Sequence, residues 1–354
     1  MTRARLVWAL VVVGSIVLGF ALTAPGVATW DSLPHVDRSR WLVHMYGLPS
    51  SWRSDRIAET LKWYGPLWAL FLGLASEVAL PFVRDPLWVE QSFNLALGPV
   101  GLYAVARLLA RAGVRRSTAL LAVALLLGAV RLGGHALVNV NDFPMAMLSL
   151  LIMLYLWVKL RELDPAARAA GRLPAATLVW LGVVAVVPFL IRPPVLLQPL
   201  TLAAFLGFYA AIVLRGARPA RRIALPLVPL GAAGLFAIAV WPSLWEHGRA
   251  LPLGRGLLTF AHFDWHGVIR YFGRSSLAGA LPRFYPAIWL PVMLTPAAFV
   301  LFAVGLPRGA VRRTLVPQSF VLPAPGGGTI DLSLRRWLAI HAALLWLGVI
   351  VLHP

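Results

Sequence analysis

The sequence predicts an all-α polytopic membrane protein, a bundle of about nine spanning helices with one further segment along the membrane surface. Three observations predict this fold class. Apolar residues make up 60% of the 354 residues and charged residues only 13%, whereas soluble globular domains have roughly 45–50% and 25%. The mean hydropathy is +0.79. Apolar stretches long enough to span a bilayer recur from one end of the chain to the other.

The first element is an apolar run from Leu6 to Val27. A signal peptide also has a basic start, but its apolar core has roughly 7–15 residues, and this run reaches the roughly 20 residues that a spanning helix needs. It predicts an uncleaved first helix, with cleavage near Ala28 as the alternative. Further spans are predicted at 88–110, 117–135, 143–160, 173–191, 194–214, 223–241, 287–306 and 337–352.

One apolar segment, 63–83, contains Pro66, Glu77 and Pro81, and it either spans the membrane or lies along its surface. The distribution of charge favours the second arrangement. If 63–83 does not span, 19 basic residues and only three acidic ones fall on the side of the N-terminus. If it spans, every later basic cluster moves outside, against the positive-inside rule. The segment is therefore predicted to be juxtamembrane, and the N-terminus cytoplasmic.

This topology predicts a single transmembrane domain over 1–354, with large outer loops at 28–87 and 242–286. Basic inner loops explain most of the net charge of +19, so a nucleic-acid partner is not needed. The inner segment 307–334 contains three consecutive glycines and is predicted to be a flexible connection. The Arg- and Ala-rich, Lys-poor composition is typical of a high-GC bacterium, which would place the chain in the inner (plasma) membrane.

Several kinds of chemistry are excluded. The chain has no Cys, which excludes disulfides, thiolate nucleophiles and Cys-based metal sites. Eight His residues are scattered without the spacing of metal ligands, so neither a divalent metal nor another cofactor is indicated. Phosphate-binding and dinucleotide-binding Gly-rich loops are missing as well.

Two acidic residues are the first candidates for chemistry, and both lie on the predicted outer face. Asp31 directly follows the first span, where a carboxylate is costly unless it is used or paired. A turn or cap role is its ordinary explanation. Asp142 opens the span at 143–160 and is a natural N-cap. However, His135, Asn139 and Asn141 precede it, and a connecting turn does not need so many polar groups.

Basic and aromatic residues near the same face are the second group. Arg192 ends an apolar span and either snorkels to the headgroups or binds an anion, since a guanidinium matches phosphate oxygens. Arg131, inside a span, poses the same question. The late outer loop carries aromatic residues and an excess of Arg, which favours an anionic ligand, although Trp and Tyr are also common at interfaces. Its candidates are Trp265, His266 and Tyr285.

Three sequence elements between 30 and 305 occur in a fixed order. They are Trp30-Asp31-Ser32-Leu33-Pro34-His35, then Asn139-Val140-Asn141-Asp142-Phe143-Pro144, and then Phe263 to Gly273 with Leu281-Pro282-Arg283-Phe284-Tyr285 and Trp289. In order and spacing they resemble the bacterial GT-C glycosyltransferases, in particular the protein mannosyltransferase-like enzymes of family 39. The resemblance implies a GT-C-like helix bundle with juxtamembrane helices in its first outer loop.

The resemblance also implies an activity, the inverting transfer of one sugar from a polyprenyl-phosphate donor to a hydroxyl of a protein, lipid or glycan at the outer face. Asp31 would be the general base, Asp142 would support positioning, and Arg192 would hold the donor phosphate. The other residues implied to bind substrate or donor are His35, Tyr64, His135, Asn139, Asn141, Trp265, His266 and Tyr285.

The chain departs from the family pattern at four positions, which are Ser32, Val140, Asn141 and Arg283. It also stops at Pro354, directly after an apolar segment, where the family continues, so a shortened C-terminus is expected. Two alternatives stay open. One is a transporter or lipid flippase, disfavoured because the polar residues gather in outer loops rather than in mid-membrane helix breaks. The other is a degenerate, non-catalytic member of the same fold.

Overall fold

The fold is described from a computed structural model of the chain. The described residues are 3–22, 32–51, 64–127, 142–170, 174–191, 197–213, 219–244, 268–271, 274–277, 320–323, 329–332, 337, 339–341 and 343.

The described part of the chain is mostly helical. Its α-helices are α1 (Arg3–Leu22), α2 (Ser32–Met45), α3 (Pro66–Ala79), α4 (Pro86–Arg111), α5 (Arg116–Leu127), α6 (Asp142–Ala170), α7 (Ala175–Val186), α8 (Leu197–Val213) and α9 (Pro219–Ala239), and a 3₁₀ turn, Pro242–Leu244, follows the last of them.

Two short antiparallel hairpins depart from the all-α prediction. Strands β1 (Val268–Tyr271) and β2 (Arg274–Leu277) pair within the late loop. Strands β3 (Phe320–Pro323) and β4 (Thr329–Leu332) pair within the segment that was predicted to be a flexible connection. The Pro- and Gly-rich sequence between β3 and β4 joins two β-prone runs, Phe-Val-Leu and Thr-Ile, and this pattern is typical of a hairpin.

Three helices in the described residues are long and apolar enough to cross a membrane, over Pro86–Arg111, Asp142–Glu162 and Arg222–Ala239. They coincide with the predicted spans 88–110, 143–160 and 223–241, and they indicate association with a membrane. Shorter apolar helical stretches are Ala9–Leu18, Pro66–Ala79, Arg116–Leu127 and Ala175–Val186. The predicted span 287–306 lies outside the described residues, and the number of nine spans stays a prediction.

Helix α4 shows how these boundaries arise. Asp85 caps its first turn, since the side chain accepts a hydrogen bond from the Leu87 amide at 2.9 Å, and Pro86 occupies the first helical position, where no amide donor is needed. Its C-terminal end is followed by Gly113, whose φ of 82° lies in the left-handed region that favours glycine.

Helices α2 and α3 form a pair beside the N-terminal end of α4. Gly73 allows their close approach, because a Cβ added there would lie 2.3 Å from the carbonyl oxygen of Ser39. At 14 residues each, they extend about 21 Å, less than the roughly 30 Å of a bilayer core. The face of α3 away from α2 exposes a stripe of apolar side chains. These are Phe71, Leu74 and Val78, with Phe82 just after the helix.

The main apolar core lies between helices α4 to α9 and the start of the last predicted span. Trp337 is fully buried in this core, and its ring packs against Trp157 and Phe205 at centroid distances of 6.0 and 5.3 Å. Its indole nitrogen donates to the carbonyl oxygen of Met153 at 3.2 Å. The first residues of the span 337–352 are therefore helical and belong to the bundle.

Small residues bring the helix backbones together. A Cβ on Gly182 of α7 would lie 2.0 Å from the carbonyl oxygen of Pro229 in α9. A Cβ on Gly101 of α4 would lie 2.6 Å from side-chain atoms of Met147 in α6. Backbones at such separation pack tightly without relying on the hydrophobic effect, which is weak between helices in lipid.

Candidate functional site

Two of the predicted site residues, His35 and Tyr64, lie in contact. His35 is in the first turns of α2, and Tyr64 directly precedes the Gly65-Pro66 start of α3. Their rings meet edge to face, with centroids 5.3 Å apart and planes at 73°. His35 is 9% exposed, so the contact is between packed side chains. The pairing of α2 with α3 thus brings together residues 29 positions apart in the sequence.

Arg38 lies one turn after His35 and is 1% exposed. Its Nη2 donates to the carbonyl oxygens of Tyr64 at 2.6 Å and Gly65 at 2.5 Å, and its guanidinium carbon lies 5.7 Å from the centre of the Tyr64 ring. Burial lowers the pKa of Arg38 to about 10, while Tyr64 and Glu90 oppose that shift electrostatically. Arg38 therefore stays a cation at neutral pH.

Glu90, in the second turn of α4, interacts electrostatically with Arg38. Its side chain is fully buried, and the Ser39 hydroxyl donates to its Oε1. Its Oε2 has no hydrogen-bond partner within the ranges that the structure describes. Charged groups removed from water are costly unless compensated. The Ser39 hydroxyl first, and then Arg38, offset part of the cost of burying Glu90.

Three further polar side chains near this end of α4 are buried, those of Gln91, Ser92 and Asn94. The sequence prediction placed Glu90 inside the span 88–110 and did not name it as a candidate. The rule that singled out Arg131, that an ionisable residue inside a span is functional by default, applies equally to Glu90. That signal was present in the sequence, which has four polar residues within five positions of an apolar segment.

The turn at Tyr64–Gly65 also contacts the turn that follows α7. A Cβ on Gly65 would lie 2.1 Å from the carbonyl carbon of Leu190, and the amide of Leu67 donates to the Leu190 carbonyl oxygen at 2.9 Å. The next described residue, Ile191, is fully buried. Ile191 directly precedes Arg192 in the sequence, so the chain leading to Arg192 passes this turn.

Asp142 is the first residue of α6 and lies in its first turn. The ring of Phe143 lies over Gly98, Met147 lies on Gly101, and Arg161 donates to the Ala112 carbonyl at 3.1 Å. Along these contacts the residue numbers of α4 and α6 increase in the same direction, so the two helices run parallel. Asp142 is therefore level with the α4 residues near Gly98, about 12 Å along the helix from Glu90 at roughly 1.5 Å per residue.

The remaining predicted site residues lie outside the described residues. They are Asp31, His135, Asn139, Asn141, Arg192, Trp265, His266 and Tyr285. Asp31 is joined directly to Ser32, where α2 begins, and α2 is the helix that carries His35 and Arg38.

Within the described ranges, no group of three or more His, Asp or Glu side chains is arranged to hold a metal ion. No protein-family model matches the chain, and comparisons with curated proteins and with solved structures find no match.

Proposed function

We propose that the chain is a membrane glycosyltransferase of the GT-C type, which transfers one sugar from a polyprenyl-phosphate donor to an acceptor hydroxyl, with inversion at the anomeric carbon. One observation carries the proposal. Tyr64 contacts both His35 and Arg38 of the helix that follows Asp31, and the next residue, Gly65, packs on Leu190, two residues before Arg192. Segments adjacent to the candidates Asp31 and Arg192 in the sequence thus meet at one end of the described bundle.

The chemistry requires few groups. The oxygen of the acceptor hydroxyl forms a bond to the anomeric carbon while the bond from that carbon to the donor phosphate breaks. Asp31 takes the hydroxyl proton, and polyprenyl phosphate leaves with the electron pair. Because the leaving group is already a phosphate, no general acid is needed, and a cation such as Arg192 stabilises the developing negative charge.

We further propose that the site lies on the outer face of a bacterial inner membrane, with the N-terminus and the basic loops in the cytoplasm. Support comes from the excess of basic residues on the N-terminal side and from the three apolar helices. Asp142, which is about 12 Å along α4 from the level of Glu90, would contact the acceptor or the sugar.

The test is sugar transfer by the purified protein in detergent, offered a panel of polyprenyl-phosphate sugars. Asp31→Asn should reduce the release of polyprenyl phosphate by about 10²–10⁴-fold, since general base catalysis contributes that much. Asp37→Asn, an exposed carboxylate on α2, is the matched control and should retain full activity. Turnover by Asp31→Asn at the wild-type rate would remove its assigned role, and no release from any donor would count against a glycosyltransferase.

A further inference from the structure

Four arginines surround the turn between α4 and α5, and all four side chains are exposed. They form what we call the arginine patch, Arg107, Arg111, Arg115 and Arg116. The stretch 107–116 contains no acidic residue. Within the part of the chain that the structure describes, none of these guanidinium groups forms an ion pair or a hydrogen bond. The patch therefore presents positive charge that the described part of the protein does not neutralise.

The backbone of this turn is fixed by its own hydrogen bonds. The Gly113 amide donates to the Ala110 carbonyl at 3.0 Å, and Gly113 has a φ of 82°. The Val114 amide donates to the Leu109 carbonyl, also at 3.0 Å. This pair of bonds is the Schellman arrangement that ends many helices. The side chains of Ala112 and Val114 are buried in the main apolar core, so the turn is anchored to the bundle.

Arg161 of α6 adds an anchor from a third helix, because it donates to the Ala112 carbonyl at 3.1 Å. Arg107 and Arg111 are one helical turn apart, which places their Cβ atoms about 6 Å from each other. Arg115 and Arg116 follow directly after the fixed turn. The backbone positions of the patch are thus set before any ligand arrives, and a preorganised site loses less entropy on binding.

Exposed leucines adjoin the patch on the apolar helix α5. Leu120 lies one helical turn after Arg116 and so shares its face. It is 54% exposed, and Leu121 and Leu127 are 50% and 66% exposed. A phospholipid needs two kinds of surface, cations for its phosphate and apolar side chains for its acyl chains, and the two occur here side by side. A soluble anion would need only the first.

The positive-inside rule explains why a connection between spans is basic, but it depends on the number of charges alone. A flexible basic loop would satisfy that rule equally well. The rule does not account for an anchored turn, for arginines without partners among the described residues, or for the adjoining leucines. These features together indicate a surface that binds something.

We propose that the arginine patch and the exposed leucines of α5 bind an anionic phospholipid of the surrounding bilayer. The guanidinium groups hold the headgroup phosphate, whose oxygens they match in geometry, and the acyl chains lie along α5. The binding is non-covalent. It requires neither the proposed glycosyltransferase activity nor a particular face of the membrane, since the lipid belongs to whichever leaflet surrounds this end of α4.

The test is a titration of the purified protein in detergent with phosphatidylglycerol, in which native mass spectrometry counts the bound lipids. Arg111→Gln and Arg115→Gln should each weaken binding by about 5-fold, the loss expected for one basic residue at an anionic headgroup, and the double variant by about 25-fold. Arg84→Gln is the matched control. Arg84 is also exposed but lies just before the other end of α4, so this variant should bind as the wild type does.

Two comparisons identify the occupant. Phosphatidylcholine with the same acyl chains has no net charge, so it should bind the wild type about 10-fold more weakly and should not distinguish it from the double variant. Glycerol 3-phosphate carries the phosphate without acyl chains and should not displace phosphatidylglycerol at equal concentration. High salt should weaken lipid binding more in the wild type than in the double variant, because salt screens exposed charges.

The substituted positions are exposed, so the variants should melt at nearly the wild-type temperature in lipid-free detergent. Equal affinity of the double variant and of Arg84→Gln for phosphatidylglycerol would overturn the proposal. Equal binding of phosphatidylcholine and phosphatidylglycerol to the wild type would overturn it as well. Displacement of the lipid by an equal concentration of glycerol 3-phosphate would indicate a site for a soluble anion, and would contradict a lipid occupant.

Discussion

At the scale of single residues, Tyr46 shows how one hydroxyl ties distant parts of the chain. It follows α2 directly, and its hydroxyl donates to the carbonyl oxygen of Val240, just after α9. Partial burial raises the pKa of Tyr46 from 10.0 to about 12. The proton that makes this bond is therefore retained at alkaline pH in the folded protein, while an exposed tyrosine in the unfolded chain has lost it.

This shift predicts a pH dependence of stability. The stabilisation due to Tyr46 is fully present below pH 10, and it is lost as the pH rises towards 12, because only the unfolded chain ionises in that interval. Thermal unfolding in detergent at pH 9 and pH 11 should show a larger fall in melting temperature for the wild type than for Tyr46→Phe. Equal falls would contradict a raised pKa at this position.

At the scale of helices, the contact of α7 with α9 depends on the absence of a side chain. Gly182 meets the Pro229 carbonyl, and α9 contains a second proline, Pro226. Each proline lacks the amide that would bond one turn back, and a helix that contains them is stabilised by its neighbours rather than by its own ladder alone. Close backbone packing against Gly182 provides such a neighbour.

Gly182→Ala should therefore be destabilising by about 1–3 kcal/mol, the usual cost of overpacking a tight contact. The matched control is Gly234→Ala on α9, where an added Cβ meets nothing within 4 Å. That change should be neutral or stabilising by about 0.5–1 kcal/mol, because alanine favours the helix. The measurement is the midpoint of thermal unfolding of the two variants in the same detergent. Equal midpoints would exclude a tight contact at Gly182.

Helix α4 was predictable from hydropathy and helix α2 was not. The apolar run that predicts 88–110 gives Pro86–Arg111 because length and hydropathy alone select a spanning helix. Helix α2 carries Asp37, Arg38 and Arg40, so no apolar run predicts it. It forms because Trp41, with Leu42 and Val43, is buried against α3, because Arg38 donates to the Gly65 carbonyl, and because the Ser39 hydroxyl donates to Glu90 of α4.

At the scale of the whole molecule, α4 extends from one end of the described bundle to the other. Its 26 residues extend about 39 Å at roughly 1.5 Å per residue, enough to cross a bilayer with tilt. The α2–α3 pair and the Tyr64–Gly65 turn lie at its N-terminal end, and the basic connection to α5 lies at its C-terminal end. The predicted topology assigns these ends to opposite faces of the membrane.

Accessibility labelling tests that assignment. The chain has no Cys, so a single introduced thiol reports one position. Pro49→Cys, at an exposed position beside α2, should react with a membrane-impermeant maleimide in intact spheroplasts. Arg115→Cys, exposed at the other end of α4, should react only after the membrane is permeabilised. Labelling of both from the same side would overturn the placement of 63–83 along the surface.

Two residues of the candidate site were predicted from the sequence, but the way in which they are arranged was not. His35 and Tyr64 were named from a resemblance in sequence, and their contact depends on the close approach of α2 and α3 at Gly73, which no local pattern reveals. Arg38 was missed for the same physical reason, because its bonds to the Tyr64 and Gly65 carbonyls appear only in the structure. Glu90, an ionisable residue inside an apolar span, could have been singled out from the sequence.

The bond from Tyr46 to Val240 has a consequence for the order of events during synthesis. The two residues are 194 positions apart, and at about 5–20 residues per second the ribosome needs roughly 10–40 s to make the chain between them. During that interval the Val240 carbonyl that accepts the Tyr46 hydrogen bond has not yet been synthesised. The end of α2 can therefore make this bond only after the last residues of α9 have been synthesised.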